Sequence, residues 1–177
     1  DKILFTGNLS YPSNITAVRW FVESIMPILR EKLNVCFIVV GRKPAKEVLE
    51  LKEKYLDVLL FQDVESLAPF YNIADLVVIP LFNQAGVKIK LIEALKYGKK
   101  IVSRSEGVYG SGLSDIIPTA DVPEDFAQKC IDVLEGKIDF GPIWEKFNKI
   151  YDNEKIIDKL EYELLNLVDK TNDIRKI

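Results

Sequence analysis

The chain has 177 residues, 48% of them hydrophobic and 29% charged, enough to bury one ordinary domain core and too ordered in composition for wholesale disorder. Its 24 basic and 27 acidic residues leave a net charge of -3, without the basic excess of a general nucleic-acid surface. There is no histidine, which excludes a Ser-His-Asp or Cys-His mechanism and any His-ligated metal within these residues.

Taken in order, short apolar runs alternate with longer helical patterns. The runs are Ile3–Phe5, Val35–Val40, Val58–Phe61, Leu76–Ile79 and Ile101–Val102. Their apolarity is continuous rather than alternating, which predicts strands covered on both faces, as in a parallel sheet between helices. After the first run, Asn14 reads as the N-cap of a helix over about residues 15–33, with Ile15, Val18, Val22, Ile25 and Leu29 on one stripe and a kink or break at Pro27. Pro44 opens a second helix reaching Tyr55, and Ser66 starts a short one ending near Asn72. Gly86 precedes a fourth, closed by Gly98, and Pro123 opens a fifth that runs to about Leu134.

Beyond Gly136 the character changes. Gly141-Pro142 breaks the pattern, and helices are expected over 142–150 and 154–170, wrapping the outside, with Lys170–Ile177 frayed. Trp144, Phe147 and Tyr151 stand at helical spacing and read as packing residues. The fold expected is therefore α/β: a Rossmann-like, doubly wound parallel sheet over residues 1–140, with C-terminal helices over 141–177. The longest apolar run is far short of the roughly 20 residues that span a bilayer. Cys36 and Cys130 sit among apolar neighbours and read as buried reduced thiols. The chain begins at Asp1 and enters a strand almost at once, so it reads as a piece of a longer protein.

In a doubly wound sheet, ligands bind where the strands end. The loops of interest are therefore Thr6–Ser10, Gly41–Pro44, Gln62–Ser66, Pro80–Val87 and Ser103–Leu113. Gly7 and Gly41 suit either a close approach of backbone to ligand or simple turns. The sharper feature runs from Gly86 to Leu95. Val87, Leu91, Ala94 and Leu95 form its core stripe, while Lys90 and Glu93 share another face. Lys88 and Lys90 lie in or near a first helical turn, where cations oppose the helix dipole unless an anion such as a diphosphate docks there. Glu93, one turn deeper, is placed to accept hydrogen bonds from sugar hydroxyls. The spacing alone leaves a solvated Lys/Glu pair open and leans toward it. No Asp-x-Asp occurs, so no carboxylate-chelated metal diphosphate is expected.

The string Phe82-Asn83-Gln84-Ala85-Gly86-Val87-Lys88-Ile89-Lys90-Leu91-Ile92-Glu93-Ala94-Leu95-Lys96-Tyr97-Gly98 resembles the donor-site signature of glycosyltransferase family 4. Phe5-Thr6-Gly7-Asn8-Leu9, Phe37–Gly41, Tyr71–Pro80 and Glu106–Gly110 agree in order and spacing over about residues 2–135. The resemblance implies the C-terminal, nucleotide-sugar-binding half of a retaining GT-B enzyme using a UDP- or GDP-sugar. Lys90 would meet the diphosphate and Glu93 the ribose, and these two are the residues expected to carry catalysis. Gly86 and Val87 would offer backbone to phosphate or sugar oxygens, Val64 and its neighbours would line the base, and Gly7 and Asn8 would approach the diphosphate. Lys88 or Arg42 would add positive charge. No cofactor and no metal are expected beyond the nucleotide-sugar substrate. The expected partners are the missing N-terminal domain and an unknown sugar, lipid or protein acceptor, with no nucleic acid and no transmembrane segment. A cytoplasmic location is expected, with peripheral membrane contact through the missing domain as its variant.

Two departures stand out. Ala85 occupies the place of the family's first glutamate, eight positions before Glu93, and Asn8 and Asn14 stand where many members carry Arg and Lys. The alternatives are a non-catalytic nucleotide-sugar or partner-binding module, and a GT-B-fold epimerase, which the lack of acid/base histidine disfavours.

Overall fold

The computed structural model describes residues 1–152; the expected helix over 154–170 and the frayed end lie outside the described residues. The chain divides into two compact units, residues 1–144 and 145–177.

Five strands form one parallel sheet in the first unit: β1 (Lys2–Asn8), β2 (Cys36–Arg42), β3 (Val58–Gln62), β4 (Leu76–Ile79) and β5 (Ile101–Ser103). Their order across the sheet is β3-β2-β1-β4-β5, the doubly wound arrangement expected from the alternating pattern. The helices are α1 (Pro12–Trp20), α2 (Met26–Arg30), α3 (Lys46–Lys54), α4 (Ala68–Ile73), α5 (Ile89–Lys96), α6 (Ser105–Val108), α7 (Pro123–Leu134) and α8 (Gly141–Ile150).

The inner strands are covered on both faces. Ile3, Leu4 and Phe5 of β1 and Val77, Val78 and Ile79 of β4 are buried. The edge strand departs from the expectation of full cover: Leu59 and Phe61 of β3 stay about 40% exposed, Phe61 resting on Phe70 at 4.9 Å between ring centroids.

The first helical run corrects one expectation and bears out another. It starts at Pro12, a residue suited to a first turn, so Asn14 lies inside the helix rather than capping it. Its break takes a definite form, a π-helical turn over Phe21–Ile25 in which the Met26 N–H reaches back to the Phe21 carbonyl. Pro27 follows at once. A proline in a helix cannot donate to the carbonyl four residues back and crowds it, and the widened turn relieves both. Phe21, Val22, Ile25, Met26 and Leu29 remain buried along this bend.

Cys130 is buried as expected, whereas Cys36 is half-exposed; both are free thiols. Trp144 packs on Phe140, and within the second unit Phe147 stacks on Tyr151, so these aromatics serve packing.

A half-buried ion pair ties α2 to the start of β3. Arg30 Nε and Nη2 donate to the two Asp57 carboxylate oxygens at 2.6 and 2.8 Å. The guanidinium holds the Asp57 carboxyl below the usual range. The pair therefore stabilises the fold above the ordinary carboxylate pKa and fades as acid protonates Asp57. Asp57→Asn is expected to cost about 1 kcal/mol at neutral pH, and less in acid, by urea denaturation.

Candidate functional site

The strand order reverses direction between β1 and β4, and the crevice this leaves lies at the carboxyl ends of the strands. A cavity of about 550 Å³ opens there, bounded by the ends of β1 and β2, the loop after β3, the loop 82–88 and the first turns of α1 and α5. Gly7, Asn8, Arg42, Val64, Val87, Lys88, Lys90 and Glu93 all line it. Gly86 is not among the lining residues; it takes a left-handed φ of +60°, and a Cβ there would meet open space. The Ser103–Leu113 segment, expected as a fifth ligand loop, contributes no lining residue.

The floor of the site depends on two glycines. Gly7 and Gly41 face each other across β1 and β2, and Asn8 pairs with Arg42 beyond them. A Cβ on Gly41 would lie 1.9 Å from the Gly7 carbonyl oxygen. A Cβ on Gly7 would lie 2.9 Å from Asn14 Nδ2 and 3.0 Å from Lys90 Nζ.

Lys90 projects from the first turn of α5 across the face of the buried Phe5 ring, 3.9 Å from its centroid. Its ammonium donates to Asn14 Oδ1 at 2.9 Å, and Asn14 Nδ2 in turn donates to the Asn8 carbonyl at 2.8 Å. Loss of water, with Lys88's charge in support and Glu93's opposing, pushes Lys90 down to about 7. An anion placed against it would restore the charged form.

Glu93 lies one turn on. Its Oε2 accepts from the Tyr71 hydroxyl at 3.3 Å, and that hydroxyl also meets Thr6 Oγ1 at 3.1 Å. Tyr71 is wholly buried and stacks on Tyr97 at 4.7 Å. Burial and Glu93's charge push its hydroxyl well above the usual tyrosine range, so it remains a donor.

Lys88 stands just before α5 and is 8% exposed. Its ammonium donates to the carbonyls of Ala85 at 2.6 Å and Gly86 at 3.2 Å, so it secures its own loop. The same loop is anchored at its start: Arg104 lies 4.1 Å over the Phe82 ring and pairs with Glu106 and Asp121. Val87 was expected in the core stripe, but α5 begins at Ile89, and Val87 is 44% exposed on the cavity wall. Leu91, Ala94 and Leu95 are buried as expected.

Asn14 and Tyr71 were not among the expected site residues, and Thr6 was expected only as part of the Thr6–Ser10 loop. Asn14 carried a signal: an amide three and four residues before Ala17 and Val18 falls on the buried helical stripe, where only a polar partner justifies it. Tyr71 gave none, because a tyrosine in a short apolar helix reads as core.

The family model described as Glycosyl transferases group 1 matches residues 1–136. An "Uncharacterized 44.6 kDa protein in cps region" of Klebsiella pneumoniae is 26% identical over 119 residues, 63% of this chain and 31% of that protein, so the chain spans about a third of the relative's length. Among solved structures, TarM superposes with a TM-score of 0.72 at 16% identity, over 91% of this chain and 34% of that one. The pneumococcal O-GlcNAc transferase GtfA, solved with UDP and GlcNAc, gives a TM-score of 0.67 at 11% identity, over 94% of this chain and 36% of its own. These likenesses fix the fold as Rossmann-like, of the kind found in GT-B glycosyltransferases. With the matched family model spanning the sheet and the whole cavity, the chain belongs to the group 1 glycosyl transferases.

Proposed function

We propose that this chain is the C-terminal, donor-binding half of a retaining glycosyltransferase of family 4 that takes a UDP- or GDP-sugar. The observation that carries the reading is the placement of Lys90 and Glu93 on one wall of the cavity at the start of α5. An ammonium and helix N-terminal amides suit a diphosphate, and a carboxylate one turn deeper suits vicinal ribose hydroxyls. As the acceptor hydroxyl bonds to the anomeric carbon, the bond to the diphosphate oxygen breaks and the hydroxyl's proton passes to that departing diphosphate. Lys90 and the α5 amides then stabilise the charge that collects on the departing group, without a divalent metal.

Residues 1–140 form the donor-binding unit in this reading, and α8 (Gly141–Ile150) belongs to the segment that follows it. A separate N-terminal domain supplies the acceptor side for a sugar, lipid or protein. No described helix is long and apolar enough to cross a membrane. We place the reaction in the cytoplasm, with any membrane contact made peripherally by the N-terminal domain. One observation favours a second reading, a module that holds a nucleotide-sugar without catalysis: Ala85 lines the cavity in place of an acidic side chain.

Titration with UDP and GDP, followed by NMR, is expected to shift resonances around Gly86–Glu93. Lys90→Ala is expected to weaken binding about a hundredfold and Glu93→Ala about tenfold. Unshifted spectra would remove the site assignment. Release of labelled sugar from a bound donor by the full-length protein would decide against the non-catalytic module.

A further inference from the structure

We infer that Tyr71 is a positioning residue for ribose recognition, acting through Glu93 without touching the ligand. The inference rests on the donor-site reading above. Tyr71 does not line the cavity, and its side chain is fully buried. Its hydroxyl nevertheless lies between Thr6 Oγ1 at 3.1 Å and Glu93 Oε2 at 3.3 Å.

The direction of this chain follows from proton count. An ionised carboxylate only accepts, so the single Tyr71 proton goes to Glu93, and Thr6 must give its own proton to the Tyr71 oxygen. A donor fixed in the core thereby takes one lone pair of Glu93 Oε2 and sets the carboxylate's orientation, leaving Oε1 unshared with Tyr71 for a ligand's hydroxyls. The donor itself has little freedom. The Tyr71 ring lies 9° from parallel to Tyr97, and the Thr6 side chain is held in β1 with 2% exposure. Phenylalanine would fill the same volume without burying a hydroxyl. A hydroxyl at this point therefore has its use in the carboxylate it restrains.

Isothermal titration of the purified chain with UDP, GDP and their 2′,3′-dideoxy analogues tests this. Tyr71→Phe is expected to weaken the ribonucleotide about five- to tenfold while leaving the dideoxy analogue within about twofold of wild type. Thr6→Val, which breaks the chain one step earlier, should weaken the ribonucleotide in the same sense by a smaller factor. Thermal melts of both variants establish that the fold persists. Equal binding of the ribonucleotide by wild type and Tyr71→Phe overturns the inference. So does an equal loss for ribo and dideoxy forms, which marks a general structural effect. If wild type binds neither UDP nor GDP, the donor-site reading fails and this inference fails with it. If wild type binds ribo and dideoxy forms alike, Glu93 does not read the ribose and this inference alone fails.

Discussion

Affinity for a nucleotide-sugar is expected to fall more than about tenfold between pH 7 and pH 9, and Lys90→Arg is expected to flatten that profile. The cause is the state of Lys90 before the ligand arrives. Loss of water holds its ammonium down to about 7, with Lys88's charge adding to the shift and Glu93's opposing it, although the ammonium lies over Phe5 and donates to Asn14. A diphosphate binds the charged form, so above pH 7 each binding event must first take up a proton. Affinity then falls by up to about tenfold per pH unit. Arginine stays protonated throughout, which removes the slope. A nucleotide-sugar is the better probe because its diphosphate diester has no ionisation of its own in this range.

The ligand-free fold should respond in the opposite sense. A lysine with a depressed pKa binds fewer protons folded than unfolded between pH 7 and its ordinary value, so stability rises with pH across that window. Calorimetric titrations in two buffers of different ionisation enthalpy report the proton uptake directly. A pH-independent affinity would remove Lys90 from the diphosphate.

Gly41→Ala is expected to lose about 3 kcal/mol of stability and all measurable nucleotide binding. The added Cβ would sit 1.9 Å from the Gly7 carbonyl oxygen and 2.7 Å from Leu9 Cγ. The first of these is backbone in the paired strand, so no rotamer change relieves it. β1 and β2 must separate at the end that carries the site, taking Gly7, Asn8 and Arg42 with them. Gly86→Ala makes the contrast. Its Cβ meets open space and only the left-handed backbone resists it, which costs about 1 kcal/mol. Urea denaturation of the two variants separates these cases, and a Gly41→Ala protein that melts with wild type would show that the strands can part at no cost.

The parallel sheet was legible because its inner strands are covered on both faces and so read as unbroken apolar runs. The same rule over-reached at Leu59 and Phe61, since a run of residues carries no mark of lying at a sheet edge. Spacing set Lys90 and Glu93 on one face of a helix, and the resemblance to the family 4 donor signature marked them as site residues. What holds them was not legible. Asn14 lies 76 residues from Lys90, and Tyr71 belongs to another helix altogether. Local pattern reports which side chains share an element, while the partner that orients a charge is chosen by the fold. Val87 shows the converse error, where a periodic match extended the helix two residues past its true start at Ile89.

On the proposed donor-site reading, Lys88 would bear on turnover. Its ammonium is committed to the carbonyls of Ala85 and Gly86, so a nucleoside diphosphate carrying two or more negative charges meets Lys90 as the main side-chain cation at the start of α5. Compensation at this helix would be incomplete, and the remainder would fall to backbone amides and to Arg42 at the end of β2. A transferase must discard its diphosphate after every cycle. In that reading, limiting the cations at α5 would trade some grip on the donor for a shorter residence of the spent nucleotide.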